Sequence, residues 1–443
     1  MNTPIVDFVR QYAESDVLRL HMPGHKGKSF LGFERYDITE IKGADALYEA
    51  DGIIAQSEEN ARGLFGSAKT LYSTEGSSQC IRAMLALLKM TRSNDGKCVV
   101  LAARNVHKAF VYAAALSRID VEWLYPDSTD SLCRCEITPA ALKAALGAMS
   151  APPAAVYITS PDYLGGVADI RALADVCHSF GVLLIVDNAH GAYLHFLDKP
   201  SHPLDLGADM CCDSAHKTMP VLTGGAYLHI SENAPHKLSE NAKAAMSMFG
   251  STSPSYLTLC SLDMANSYIE NGYREKLANT INHIGSAKHT LCQKGWRIEE
   301  SDPLKITVKA PCETTGITLA DTLRKNGIEC EYADNDFVVL MATPENVKTD
   351  FDKLIAALGD CTCDYGKDSA ISIPKLKSAI PIYEAMFAPQ HTCDIENAVG
   401  SICGAPTVSC PPAIPIAVSG EEITPEAIAI AKSYGIRSIS VLK

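Results

Sequence analysis

The chain has 443 residues, 47% of them hydrophobic and 21% charged, with a mean hydropathy of +0.02. Those values belong to a globular protein of roughly two or three folded units and exclude wholesale disorder. With 52 acidic against 39 basic residues the formal charge is −13; this argues against a nucleic-acid partner and suits cationic small molecules, although solubility alone also accounts for it.

The start, MNTPIVDFVRQYAESD, carries acids and lacks the basic-then-apolar pattern of a secretion signal. No apolar run is long enough to cross a bilayer, so no membrane partner is expected. The 16 cysteines are scattered, with Cys211 and Cys212 adjacent and C-x-C pairs at Cys133/Cys135 and Cys361/Cys363. No paired C-x-x-C blocks stand ready for zinc, so no metal is expected. Reduced thiols in the cytoplasm are the default, and Cys211 and Cys212 read as small core residues.

Residues 1–60 read as an N-terminal arm, rich in glycine and polar groups around His21–Asp51 and poor in core-forming periodicity. A large domain is expected over 61–290. Its apolar runs are CVVLAA (98–103), VEWLY (121–125), AAVYITS (154–160), GVLLIVD (181–187), ADMCCDS (208–214) and GGAYLHI (224–230), with helix-like segments at Asn105–Ser117, Thr138–Met149 and Asp169–Phe180. Strand and helix alternating at this rhythm predict an α/β fold with a mostly parallel sheet covered on both faces. Functional groups of such sheets gather at the carboxyl ends of strands. A helical stretch follows to about Gly295. Two strands, a helix, two strands and a helix then predict a small α+β domain over 291–360. A C-terminal domain over 361–443 opens on the linker-like CTCDYGKDSA (361–370) and contains the proline-rich turn SCPPAIPIAV (409–418), a helix from Thr424 and the strand RSISVL.

The chemistry concentrates in four segments. In DSAHKTMPVLTGG (213–225), Lys217 follows a buried-type strand among Ser214, His216 and Thr218. A lysine there suits a Schiff base to an aldehyde, with Ser214 and His216 able to bind a phosphate; an ordinary surface lysine is the plainer reading. VDNAHGAYLHF (186–196) ends another strand on Asp187. A carboxylate ending one parallel strand and a lysine ending a later one is the arrangement that pyridoxal phosphate requires, the carboxylate keeping the pyridine nitrogen protonated. A helix cap is the alternative for Asp187. ARNVHKAF (103–110) puts His107 after a strand, where its ring could stack on the cofactor. STEGSSQCIRAML (73–85) opens a helix on Gly-Ser-Ser, so backbone N–H groups with Ser77 and Ser78 could cradle the phosphate.

Taken together, LHMPGHKG (20–27), YDITEIKGADAL (36–47), ARNVHK, VDNAHGAYLHF, SAHKTMPVLT (214–223) and CPPAIP (410–415) resemble the Orn/Lys/Arg decarboxylase family in its compact bacterial form. The resemblance implies an aspartate aminotransferase-like fold (pyridoxal phosphate fold type I), with a seven-stranded large-domain sheet and small α+β C-terminal domains. It implies a decarboxylase of lysine, arginine or ornithine that yields the polyamine-type amine and CO₂. A homodimer or higher homo-oligomer is implied as well. It assigns Lys217 to the cofactor aldehyde, Asp187 to the ring nitrogen, His107 to stacking, and Ser77, Ser78, Ser214 and His216 to the phosphate. Ala189 would contact the ring, and His190 would lie near the substrate carboxylate. Asp45, Asp51 and Glu384 are candidates for the substrate's distal cation, although such an acid is more often simply a solvated surface group. The chain departs from the family pattern at EGSSQC in the phosphate loop, at Asn188 where Glu is usual, at Ala413 where Gly is usual, and after Thr223. Another fold type I enzyme, an aminotransferase or lyase, and a non-catalytic homologue are the rival readings.

Overall fold

The structure, a computed structural model, describes residues 1–91, 97–366, 370–407 and 413–443. Positions 367–369 of the expected linker and 409–412 of the proline-rich turn, including Cys410, Pro411 and Pro412, lie outside the described residues.

Seven short strands form the main sheet: β1 (Lys69–Ser73), β2 (Val99–Ala103), β3 (Asp120–Leu124), β4 (Ala155–Thr159), β5 (Leu183–Asp187), β6 (Met210–Asp213) and β7 (Ala226–Ile230), in the order β1-β7-β6-β5-β4-β2-β3. The sheet is mostly parallel. Strands β5 and β6 run parallel with Asp187 opposite Cys212, whereas β7 is antiparallel to both β6 and β1. Every residue of β4, β6 and β7 is buried, which explains why these strands read as continuous apolar runs without alternation. Six strands fall where the sequence predicts them. The seventh, β1, is KTLYS, with polar residues at its start and end and close behind the helix Ile53–Phe65, so it does not stand out as an apolar run.

The expected helices form at Lys108–Ser117, Pro139–Ala148 and Ile170–Ser179. Local chemistry sets their starts. The His107 ring accepts a hydrogen bond from the Ala109 N–H, so the helix begins at Lys108. Thr138 caps its helix through Oγ1 with Pro139 at the first position, where a missing N–H is harmless.

The chain divides into two compact units. The first comprises Met1–Val100, Ser150–Ile158 and Ile170–Arg274; the second comprises Leu101–Met149, Thr159–Asp169 and Glu275–Lys443. In the first, the helix Pro4–Glu14 starts against the helix Tyr256–Glu270, whose buried Asp263 accepts the N–H groups of Ile5 and Val6 at 3.0 Å each. The second contains the antiparallel sheet β10-β11-β9-β8, from β8 (Ile298–Glu299), β9 (Lys305–Lys309), β10 (Tyr332–Ala333) and β11 (Phe337–Met341). It also holds a ribbon of β12 (Gln390–Asp394) and β13 (Ser438–Leu442). Its core includes a fully buried ion pair, Arg104 bidentate to Glu421 at 2.7 Å for both bonds, with the guanidinium stacked over Trp123.

The described cysteines are all free thiols; Cys80, Cys98, Cys133, Cys135, Cys177, Cys211, Cys212 and Cys403 are buried, whereas Cys292 and Cys312 are exposed. Among the described residues, no helix is long and apolar enough to cross a membrane.

Candidate active site

Parallel pairing of β5 and β6 brings the ends of two motif segments together. Asp187, the last residue of β5, is 1% exposed. Its carboxylate accepts hydrogen bonds from the Tyr157 hydroxyl at 3.2 Å, the Ala189 N–H at 3.2 Å and the Cys212 thiol at 3.7 Å. Burial, reinforced by the neighbouring Asp187 charge, pushes both Tyr157 and Cys212 well above their usual pKa, so both stay neutral donors. After β6 the chain turns into a single helical turn, Ala215–Thr218, which presents the half-buried Lys217. Lys217 Nζ lies 2.8 Å from Nε2 of the buried His190. His190 follows Ala189 in a bend closed by Gly191, where a Cβ would stand 2.1 Å from Asn188 Oδ1.

Beside this pair lie the hydroxyls of the serine segments. Ser77 opens the helix Ser77–Thr91, and Ser214 Oγ donates to Ser77 Oγ at 2.7 Å. The first N–H groups of such a helix lack intrahelical acceptors, and its dipole favours an anion. The preceding turn is fixed by Gly76, whose N–H donates to Gly224 O at 2.7 Å. Gly224 adopts φ +96°, and a side chain there would meet Thr74 O at 2.8 Å. The His216 ring is held by Gly225 O at 3.0 Å.

Beneath these groups sits a buried network that sequence reasoning missed. Asp213, fully buried, contacts His202 Nε2 at 3.0 Å, His229 Nε2 at 3.1 Å and the Asn188 amide at 2.7 Å. Burial opposes its ionisation, yet the two imidazoles hold the Asp213 pKa well below the usual carboxylate range. The His229 ring continues to Thr70 at 2.8 Å and Thr70 to Ser67 at 2.7 Å. The departure at Asn188 thus has a physical reason. A glutamate there would set a second carboxylate against Asp213, whereas the amide donates to it. The signal was available only as an acid directly after CC in β6; nothing in the letters pairs it with His202 or His229.

The other candidates are placed as follows. Asp45, at φ +70°, accepts N–H groups from Ala46, Asp51, Gly52, Ile54 and Ala55, capping the helix Ile53–Phe65. Burial works against that carboxylate, but these donors lower its pKa. Asp51 is exposed in the same turn, and Ser78 is half-buried in the first turn of its helix. His107 and Glu384 belong to the second unit: His107 is the helix cap described above, and Glu384 is exposed on the helix Ile382–Phe387.

The donor set of the first unit fits pyridoxal phosphate. Lys217 offers an amine for an aldehyde, Asp187 a buried acid for a ring nitrogen, and Ser77, Ser78 and Ser214, with a helix N-terminus, a neutral cradle for a phosphate.

Comparison with known proteins adds three findings. Residues 3–314 match a family model described as Orn/Lys/Arg decarboxylase, major domain. An arginine decarboxylase of Bacillus subtilis (strain 168) is 29% identical over 464 residues, covering 96% of this chain and 92% of that protein; one of Bacillus anthracis is 28% identical, covering 95% and 91%. Among solved structures, lysine decarboxylase LdcF of Francisella novicida superposes with a TM-score of 0.82 over 100% of this chain and 81% of its own, at 15% identity. Lysine decarboxylase A of Pseudomonas aeruginosa gives 0.83 over 99% and 80%, at 16% identity. At such identities the structures speak to the fold, which is that of the fold type I pyridoxal phosphate enzymes.

Proposed function

This chain belongs to the Orn/Lys/Arg decarboxylase family, and from that premise we propose that it removes the α-carboxylate of a basic amino acid, releasing CO₂ and the corresponding amine with pyridoxal phosphate as cofactor. The observation that carries the reading is the pairing of strand ends: Asp187 buried at the end of β5, and Lys217 after β6 with Nζ 2.8 Å from His190. When bound, pyridoxal phosphate supplies an electron sink for the pair left on Cα as CO₂ departs.

The chain's own residues do the rest. Lys217 would hold the cofactor through Nζ and yield that place to the substrate amine. Asp187 would hold the ring nitrogen, its oxygens fixed by Tyr157, Ala189 and Cys212 so that its direction is set before the cofactor arrives. His190 Nε2 can accept a proton from Lys217 Nζ and return it, which provides a proton for Cα at the end of the cycle. Ser77, Ser78, Ser214 and His216 would anchor the phosphate. Arginine is the first substrate to test, because the Bacillus relatives bear that name. The free thiols support a reducing, cytoplasmic setting. A homo-oligomer is supported by the N-terminal arm, where Leu18, Leu20, Phe30 and Leu31 are each more than three-quarters exposed.

The test is a panel of arginine, lysine and ornithine, scored by CO₂ release from the purified, cofactor-loaded protein. One substrate should release CO₂ stoichiometrically with its amine, Lys217→Ala should abolish release, and borohydride should fix the cofactor on Lys217. An aminotransferase would instead give a 2-oxo acid without CO₂, and a non-catalytic homologue would give neither.

A further inference from the structure

The connection between β5 and β6 gathers three groups with metal-ligating chemistry, all within the first unit and none of them assigned to the cofactor. His195 lies in the helical turn Ala192–Phe196, and His202 and Asp205 follow before β6. One ligating atom from each falls within 4.8 Å of the other two. His195 Nδ1 donates to Asp205 Oδ2 at 2.9 Å, and the Arg171 guanidinium holds the Asp205 carbonyl at 2.9 Å. The buried Phe65 packs against both imidazoles, its ring centroid 5.6 Å from that of His195 and 5.7 Å from that of His202.

An independent observation sets the His202 ring for an ion. The buried Asp213 carboxylate can only accept, so His202 Nε2, 3.0 Å away, carries the proton of the neutral ring. The lone pair is then on Nδ1, which receives the Leu204 N–H at a long 3.4 Å. A ligating histidine whose other nitrogen donates to a carboxylate is the common arrangement of metal centres, where the carboxylate fixes the tautomer and strengthens the ligand. His195 reaches the same state when its Nδ1 proton moves to Nε2, leaving the Nδ1 lone pair beside the Asp205 oxygen. Ligands bound at about 2.0–2.1 Å around one tetrahedral ion stand roughly 3.3 Å apart. Small side-chain shifts from the present spacing therefore bring all three onto one ion.

A second trio, His202, Cys211 and Asp213, meets the same spacing. It is sealed: all three are buried, burial keeps the Cys211 thiol protonated, and Asp213 is already committed to His202, His229 and Asn188. The His195 and Asp205 side chains are 14% and 24% exposed, which gives an ion a way in and leaves room for a water ligand. Two imidazoles and one carboxylate favour a borderline ion over magnesium or calcium, which prefer oxygen donors. We infer that His195, His202 and Asp205 bind a zinc-class divalent ion, with Asp213 as the outer carboxylate that orients His202. The ion would clamp the connection that joins β5, which ends on Asp187, to β6, which leads to Lys217. The sequence expectation of no metal rested on cysteine spacing, and this trio contains no cysteine. The inference goes beyond the reaction proposed above, because binding an ion here requires no turnover.

Calorimetric titration of the cofactor-loaded protein with zinc chloride, followed by X-ray absorption at the zinc edge, tests it. Free cofactor and accessible thiols also bind zinc, so the first is dialysed away and the second are alkylated beforehand. One equivalent should bind saturably, with two imidazoles and no sulfur around the ion. His195→Gln and Asp205→Asn, both at partly exposed positions, should each weaken that binding at least tenfold, with thermal melts confirming that each variant folds. Asp213→Asn should weaken it by about tenfold to a hundredfold, the range for loss of an outer partner of a ligating histidine. Zinc should raise the melting temperature of the wild type and leave that of Asp205→Asn unchanged. Sulfur around the ion, unchanged affinity in His195→Gln and Asp205→Asn, equal competition by magnesium chloride, or no saturable binding would each overturn the inference. Because CO₂ release is not read, failure here leaves the decarboxylase reading standing, and failure of the substrate panel leaves this one standing.

Discussion

Asp187 shows how much one buried carboxylate can be asked to do. Three donors converge on it, so its oxygens are directed before any ligand enters, and only a full negative charge can hold a protonated ring nitrogen. Asp187→Asn should keep cofactor absorbance yet lower turnover by on the order of 10²-fold or more, the range seen when one preorganised electrostatic contact is removed. Near-normal turnover, with an unchanged thermal melt, would reduce Asp187 to a strand-end acid. Asp187 and Lys217 were legible in the sequence because one ends an apolar run and the other lies just past one, where strand-end chemistry is expected. Asp213, held by His202, His229 and Asn188, was not. Its imidazole partners lie 11 and 16 positions away on segments whose pairing only the folded sheet creates.

At the scale of elements, the start of the first helix depends on a residue 258 positions distant from Ile5. Asp263 accepts the Ile5 and Val6 N–H groups and the Ser57 hydroxyl. Asp263→Ala should destabilise the protein by about 1–3 kcal/mol, since two helix-terminal donors would be orphaned in a buried site. Burial, only partly offset by these donors, raises the Asp263 carboxyl to about 6. The folded chain therefore binds this proton more tightly than the unfolded chain, whose carboxyl titrates near ~4. The advantage of wild type over Asp263→Ala is complete below about pH 4 and shrinks as pH rises through about 6. Urea unfolding at several pH values reads this directly; a gap that widens with pH would contradict it. Elements were legible in proportion to their apolar content. The strands of the sheet centre announced themselves, whereas β12, QHTCD, exists only because β13 pairs with it, and such long-range pairing leaves no local periodicity to read.

Over the whole molecule, the N-terminal arm is the least self-sufficient part. Between the helix Pro4–Glu14 and the helix Ile53–Phe65 it holds only one short helical turn, Glu34–Tyr36. Side chains pin it locally: Tyr12 to His21 at 2.6 Å, Lys26 to the His21 carbonyl at 2.6 Å and His25 to Asp37 at 3.2 Å. Ile38, Ala44 and Leu47 are buried, but Leu18, Leu20, Phe30 and Leu31 face water, Leu20 at 84% exposure. Deleting residues 1–50 should therefore abolish both self-association and activity, as sedimentation and CO₂ release would show. Mixing Asp51→Ala chains with Lys217→Ala chains distinguishes how the arm acts. Partial recovery of activity means that it serves a second copy; a co-assembled but inactive mixture means that it does not.

The distribution of sulfur gives the protein an internal clock. Eight described thiols are sealed in the core, and burial pushes those of Cys135, Cys177 and Cys403 up to about 12, far from the thiolate form that alkylating reagents attack. Cys292 and Cys312 stand in solvent. Timed alkylation followed by peptide mapping should mark these two first and the sealed eight only as their surroundings open, Cys211 and Cys212 reporting the strand β6 that carries Lys217 just past its end. Cofactor binding that tightens this strand would lengthen the delay at Cys212 while leaving Cys292 and Cys312 unchanged, so occupancy of the site can be timed without measuring turnover at all.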